Sequence, residues 1–202
     1  MTFQLKCCLL WWLRFLKTYD CRPIPSSLKH IPVVISYSDG EGKHAGVGAA
    51  VWAPWLRRPL AVYTKVSDHL RAIWAVSSNT SEYNDIFPIE AIGPLLLLTA
   101  FPNVMKNVLW IHWIDNTAAE ASLISGTSSL AIADHVVGLT WELCGQRKVW
   151  PYFDRVESKS NPVDQLSRGV MEGPWETVVN VDLPYKKLEQ LAEECGGWHS
   201  KA

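Results

Sequence analysis

The chain has 202 residues, of which 48% are hydrophobic and 19% charged, a balance that excludes a disordered chain and suits one domain of ordinary size with appendages. Its formal net charge of −1 excludes a nucleic-acid binder that works by bulk basicity, because phosphate neutralisation by Lys and Arg supplies most non-specific affinity. A nucleic-acid partner therefore demands local clustering of the cations, or a neighbouring domain that holds the substrate.

In chain order, residues 3–17 place Leu5, Leu9, Trp12, Leu13 and Leu16 at helical spacing, which predicts an amphipathic helix. The short apolar run is interrupted by Arg14 and Lys17 and lacks a clean cleavage site, so it does not read as a signal peptide. It also falls well short of the ~20 apolar residues of a membrane span. The cysteines at positions 7, 8, 21, 144 and 195 have no metal-ligand spacing, and their odd number suits a reducing compartment. The expectation is an intracellular protein, cytoplasmic or nuclear, with no membrane association. Its oligomeric state is not legible.

Cys21–Ser27 is a turn-rich linker, which divides the chain into an N-terminal helix and linker (1–30), a main domain (31–170) and a C-terminal extension (171–202). Within the domain, strands are expected over Pro32–Ser38, Val47–Ala53 and Leu60–Val66, the first two as a hairpin. Leu70–Val76 suits a short strand or a helix, and Ser77–Ser81 a loop. From Pro88 to Phe101 the sequence predicts a buried helix, kinked near Gly93 or starting there, because Pro94 cannot donate to the Glu90 carbonyl. Val108–Ile114 is an apolar run, as for a strand covered on both faces, and it ends in Asp115. Helices over Asn116–Ile124 and Ser128–Cys144 follow, then a strand over Val149–Val156. Asn161 as cap and Pro162 at the first helical position open the next helix. The order is β-β-β-α-β-α-α-β-α, with a charged amphipathic helix over Leu183–Cys195 in the extension.

Four acids fall at element ends: Asp39 after the first strand, Glu90 in the apolar helix, Asp115 after the fourth strand and Asp164 in a first helical turn. Each has an ordinary explanation. Asp115 suits a helix cap, Asp164 and Glu90 suit first-turn acids favoured by the helix dipole, and Asp39 suits a turn ahead of Gly40. Glu82 rivals Glu90. Taken together, the four are what a two-metal phosphoryl-transfer site requires, because hard Mg²⁺ or Mn²⁺ ions take oxygen ligands and a pair ~3.5–4 Å apart needs several converging carboxylates.

The segments Tyr37-Ser-Asp-Gly40, Gly46-Val-Gly-Ala-Ala-Val-Trp52, Ile89-Glu-Ala91, Trp113-Ile-Asp-Asn-Thr-Ala118 and Ser158-Lys-Ser-Asn-Pro-Val-Asp-Gln-Leu-Ser-Arg-Gly169 resemble the ribonuclease H domain of retroelement reverse transcriptases, within the ribonuclease H-like superfamily. The resemblance covers about residues 31–170. It implies an α/β ribonuclease H-like fold with a mixed five-stranded sheet flanked by helices, and metal-dependent endonucleolytic cleavage of the RNA strand of an RNA/DNA hybrid. It further implies that Asp39 bridges two Mg²⁺ or Mn²⁺ ions, Glu90 ligates one near the 2′-hydroxyl, Asp115 helps bridge or orients the attacking water, and Asp164 completes the second site. Ser38, Gly40, Asn116, Lys159 and Asn161 are then expected to contact substrate. Segment 9–16 resembles the connector to an upstream polymerase domain of the same polyprotein.

The sequence departs from that pattern in two places. The loop Arg155–Ser160 carries no His before the last acid, leaving Glu157 or Lys159 as substitutes, and no basic helical protrusion is evident. Three rivals remain. A 3′–5′ exonuclease of the same superfamily would use Asp39 and Glu41 together, but lacks the expected Tyr or His before Asp164. A transposase or integrase would order its acids differently. A catalytically inactive scaffold module would suit the near-neutral charge.

Overall fold

The computed structural model describes Leu13 and residues 29–77, 86–128 and 130–180. The helices expected over 3–17 (Leu13 apart) and 183–195 lie outside the described residues.

The β-branched and aromatic run beginning at Val33 forms β1 (Val33–Glu41), which turns back through Gly42–Ala45 into β2 (Gly46–Trp52) as an antiparallel hairpin. The Glu41 carboxylate closes the turn by accepting from the Lys43 and His44 amides, both at 2.7 Å. β3 (Leu60–Lys65) continues the meander. The ambiguous segment after it is a helix, α1 (Asp68–Ser77), followed by α2 (Ile86–Ala100), β4 (Val108–Ile114), α3 (Thr117–Ser125), α4 (Ala131–Arg147) and β5 (Val149–Arg155). A 3₁₀ turn (Ser158–Ser160) and a single turn of helix, α5 (Asp164–Ser167), complete the domain.

β4 pairs with β1 and β5 with β4, all parallel, so β1 is central in a mixed sheet ordered β5-β4-β1-β2-β3. This is an α/β ribonuclease H-like fold. A further strand, β6 (Thr177–Asn180), extends it by pairing parallel with β3. That strand falls in the segment taken from the sequence as an extension carrying one helix.

Alternation along the strands separates two cores. Val34 of β1, Val47, Ala49 and Val51 of β2, and Val108, Trp110 and Ile114 of β4 share the larger one with α2 and α4. Ala50 and Ala61 face the other side, under Val163, Leu166 and Trp175, with Tyr37, Trp52 and Tyr63 packed around them. Because α2 lies between the sheet and α4, it is buried all round from Pro88 to Leu98, as expected of a helix without a polar face.

Gly93 and Pro94 lie inside α2, and the helix neither begins nor ends there. Pro94 removes one backbone hydrogen bond, and burial on both sides of the helix offsets that loss. Gly93 has a steric reason: a Cβ there would sit 2.2 Å from Ser38 Oγ. The helix crosses β1 at the one residue that has no side chain to obstruct it. Gly93→Ala should therefore destabilise the fold by about 1–3 kcal/mol through overpacking. Gly138→Ala, in α4 with nothing within 4 Å of the added carbon, should stabilise it by up to ~1 kcal/mol through helix propensity. Urea denaturation of the two variants checks the contrast.

Candidate metal centre

The site follows from the register of the two central parallel strands. Tyr37 of β1 lies opposite Trp113 of β4, so two residues later Asp39 and Asp115 arrive side by side at the carboxyl ends of both strands. Side chains two apart on a strand share a face, which puts both acids on the side of Tyr37 and Trp113. Those rings stack with centroids 6.3 Å apart.

Glu90 reaches the same point from α2. Its path runs over Gly40, where a Cβ would meet the Glu90 backbone nitrogen and Ile89 Cγ2, each at 3.0 Å. The Gly40 amide donates to Glu90 Oε2 at 3.1 Å. Asp39, Glu90 and Asp115 thereby each offer a carboxylate oxygen within 4.8 Å of the others.

Three acids this close, two of them buried, have unfavourable electrostatics on their own. Burial, with the charges of Asp115 and Asp164 adding to it, raises Asp39 to about 7, although the hydrogen bond from Ser167 opposes the rise. Burial, followed by repulsion from Asp39 and Asp115, raises Glu90 to about 10. Asp115 Oδ1 is buried and has no hydrogen-bond partner, which is costly for a carboxylate oxygen unless a cation meets it. The donor set, all carboxylate oxygen and converging, fits a hard divalent ion such as Mg²⁺ or Mn²⁺.

Asp164 is not brought into this triad. Its Oδ1 accepts from Arg168 Nη2 at 2.9 Å and its Oδ2 from Arg168 Nε at 3.3 Å, while Gln165 Nε2 donates to the same Oδ2 at 3.1 Å. It is still close enough for its charge to act on Asp39.

The remaining sequence-derived contacts take varied places. Ser38 is fully buried and belongs to a polar network beneath the site. The Trp110 indole N–H donates to Ser36 Oγ at 2.6 Å, and Ser36 Oγ lies 2.7 Å from His112 Nδ1. With that hydroxyl accepting from Trp110, its own proton goes to Nδ1. The Nε2–H of His112 is then the donor to Ser38 Oγ, at 3.0 Å. Burial lowers His112 to about 3, so it is neutral at ordinary pH.

Asn161 is buried as well. Its amide nitrogen donates to the Ser38 carbonyl at 2.9 Å, and its Oδ1 accepts from the Val163 amide at 3.3 Å. It ties the last loop to β1, and the helix expected from Asn161 onward is the single turn α5 beginning at Asp164. Asn116 caps α3 by accepting from the Ala118 and Ala119 amides, both at 3.0 Å. Lys159 and Glu157 are exposed. Gly40 serves Glu90 as described.

Sequence reasoning assigned no role to Ser167, although its hydroxyl donates to Asp39 Oδ2. The same hydroxyl lies 2.8 Å from the Asp164 carbonyl, and its one proton goes to the carboxylate, the stronger acceptor. Gly46 and Gly48 make this contact possible. A Cβ at Gly46 would sit 2.0 Å from the Ser167 carbonyl oxygen, and one at Gly48 2.6 Å from the Ser167 amide nitrogen. The turn of α5 thus rests directly on the backbone of β2. The signal in the sequence was the Gly-x-Gly spacing of that strand, quoted above only as part of a segment that carries the resemblance.

A separate groove of about 310 Å³, lined by residues that include Glu120, Trp141 and Tyr152, lies beside β5 and shares none of these acids. No protein-family model matches the chain, and no curated protein matches it either. Among the described residues, no helix is long and apolar enough to cross a membrane.

Proposed function

We propose that the protein is a metal-dependent endonuclease that hydrolyses the RNA strand of RNA/DNA hybrids, and that it is related to the ribonuclease H domains of retroelement reverse transcriptases. The observation that carries this reading is the convergence of Asp39, Glu90 and Asp115 at the carboxyl ends of the central strands, with one buried carboxylate oxygen left without a donor.

Asp39, Glu90 and Asp115 would hold one Mg²⁺ or Mn²⁺ ion, and Asp164 would complete the ligand set of a second. When bound, such ions supply an activated water and charge stabilisation of the leaving oxygen. The chain itself supplies rigidity. The Ser167 hydroxyl fixes the orientation of Asp39, the Gly40 amide fixes Glu90, and Asn161 fixes the loop that carries Asp164. The 2′-hydroxyl distinguishes an RNA strand from DNA. The exposed cations Lys43, in the β1–β2 turn, and Lys159 and Arg168, on the loop and turn that flank Asp164, would meet phosphates of the hybrid. An upstream polymerase domain of the same polyprotein would add the remaining hold on the hybrid.

Glu41 bears on the exonuclease alternative. Both its oxygens are taken by the β1–β2 turn. Burial pushes it up, but the His44 and Lys43 amides, with the charges of His44 and Arg168, together hold it below the ordinary carboxylate range. Those contacts weigh against Asp39 and Glu41 acting as a pair.

The test is cleavage of an end-labelled RNA/DNA hybrid in Mn²⁺ and in EDTA, with single-stranded RNA and duplex DNA as controls. Internal RNA cuts that occur only in the hybrid and only with metal are expected. Nibbling of DNA from its ends would indicate the exonuclease instead, and the absence of any metal-dependent cut would leave the scaffold or a chain that lacks its substrate-holding domain.

A further inference from the structure

We propose that Arg168 is a resident counter-ion that competes with the second divalent cation for Asp164. This inference rests on the metal-centre reading above and deepens it. Arg168 lies one turn after Asp164, at the i,i+4 spacing that lets side chains on a helix meet. It engages both carboxylate oxygens, Oδ1 through Nη2 at 2.9 Å and Oδ2 through Nε at 3.3 Å. The two-pronged grip matches the planar fork of a guanidinium to a carboxylate. The same guanidinium is close enough to Asp39 and Glu41 for their charges to act on it.

Two consecutive residues of one turn thus serve two different acids, Ser167 holding Asp39 and Arg168 holding Asp164. The backbone of that turn is immobilised on Gly46 and Gly48. In the absence of a divalent ion, Arg168 is the cation that Asp164 meets. A second cation that takes the carboxylate electron density Arg168 now engages does so at the expense of those contacts, so the ion pair weakens that site by up to what the pair is worth. An exposed pair is worth little, and Arg168 is exposed while Asp164 is partly so. Removing it should strengthen the weaker of two cation sites by roughly two- to five-fold. The first site, at Asp39, Glu90 and Asp115, should change less, because Arg168 makes no hydrogen bond to those three acids among the described residues.

The experiment is titration of the full chain with Mn²⁺, followed by the electron paramagnetic resonance signal of the free ion. Wild type, Arg168→Gln, Asp164→Asn and the double variant are compared, with urea midpoints recorded for each. The expected result is a tighter second binding event in Arg168→Gln, no second event in Asp164→Asn, and no effect of Arg168→Gln once Asp164 is gone. An unchanged or weakened second event in a folded Arg168→Gln protein overturns the proposal, and so does a single binding event in every variant. If Arg168→Gln proves unstable, Arg168→Lys, which keeps the charge but not the fork, should tighten the second site by a smaller factor. No change in that variant overturns the proposal equally. Hybrid cleavage is scored separately: tightening without any cleavage would sink the nuclease reading and keep the counter-ion, whereas cleavage without tightening would do the reverse.

Discussion

Replacement of Asp39 by Asn is expected to abolish metal-dependent cleavage of an RNA/DNA hybrid while making the metal-free protein more stable. The two effects share one cause. Asp39 lies between two other acids and is 6% exposed, so its charge is valuable only when a cation is present to meet it. Residues that hydrogen-bond to a metal's ligands typically cost 10–100-fold on removal, and a direct ligand should cost more, so a loss of activity of about 100-fold or greater is expected. In EDTA the same substitution relieves a carboxylate raised to about 7. At mildly alkaline pH that relief amounts to about 2–4 kcal/mol. Hybrid cleavage together with urea unfolding in EDTA checks both halves. An Asn variant less stable than wild type in EDTA at alkaline pH would contradict the electrostatic account, whatever its activity.

The second large effect is a loss of stability with rising pH that added metal opposes. Asp39 and Glu90 keep their protons to higher pH in the folded chain than in the unfolded one, Asp39 to about 7 and Glu90 to about 10. Above about pH 4 the unfolded chain therefore binds fewer protons than the folded chain, and unfolding becomes easier as pH rises. In EDTA the melting temperature should fall from acid to neutral pH as Asp39 ionises, and fall further into the alkaline range as Glu90 does. A divalent ion binds the ionised forms and competes with those protons. Its stabilising effect should thus grow with pH, reaching about 1–2 kcal/mol when the ion is tenfold above its dissociation constant. Melting curves in Mg²⁺ and in EDTA across that range, with Asp39→Asn as the control that flattens the first part of the fall, decide the matter.

The elements visible in the sequence are those whose pattern has one physical explanation. Val108–Ile114 forms a strand with the limits its apolar run suggests, because no other use of seven such residues ending in an acid is as economical. The first strand runs on to Glu41, beyond its apolar part, since the hairpin ladder continues through Asp39 and Gly40 to Gly46. Pattern alone fails where a residue is spent on a distant partner. Asn161 looks like a helix cap, but its amide is drawn to the Ser38 carbonyl, 123 residues away, and the helix is delayed to Asp164. Ser36, Ser38 and His112 look like polar interruptions of buried strands, yet they satisfy one another across the β1–β4 pair. Pro94 suggests a kink near Gly93 or a helix start there, and α2 runs from Ile86 through both residues to Ala100.

The acids divide in the same way. Asp39, Glu90 and Asp115 were legible as element ends that a single sheet edge can gather, and they do gather. Asp164 was legible as an acid of the same set, but its ion pair with Arg168 was not. That pair depends on a turn of helix whose position is fixed by Gly46 and Gly48, far away in the chain. Ser38 and Asn161, expected from the sequence to contact substrate, are buried and bonded to protein partners.

The contact between Ser167 and Asp39 joins residues 128 positions apart, and this sets an order of events during synthesis. β1, α2 and β4 leave the ribosome first, carrying Asp39, Glu90 and Asp115. At ~5–20 residues per second, several seconds pass before the turn with Asp164, Ser167 and Arg168 emerges. Through that interval the nascent chain has neither the hydroxyl that orients Asp39 nor the last carboxylate. The acidic cluster is therefore completed only when the final turn closes on β2.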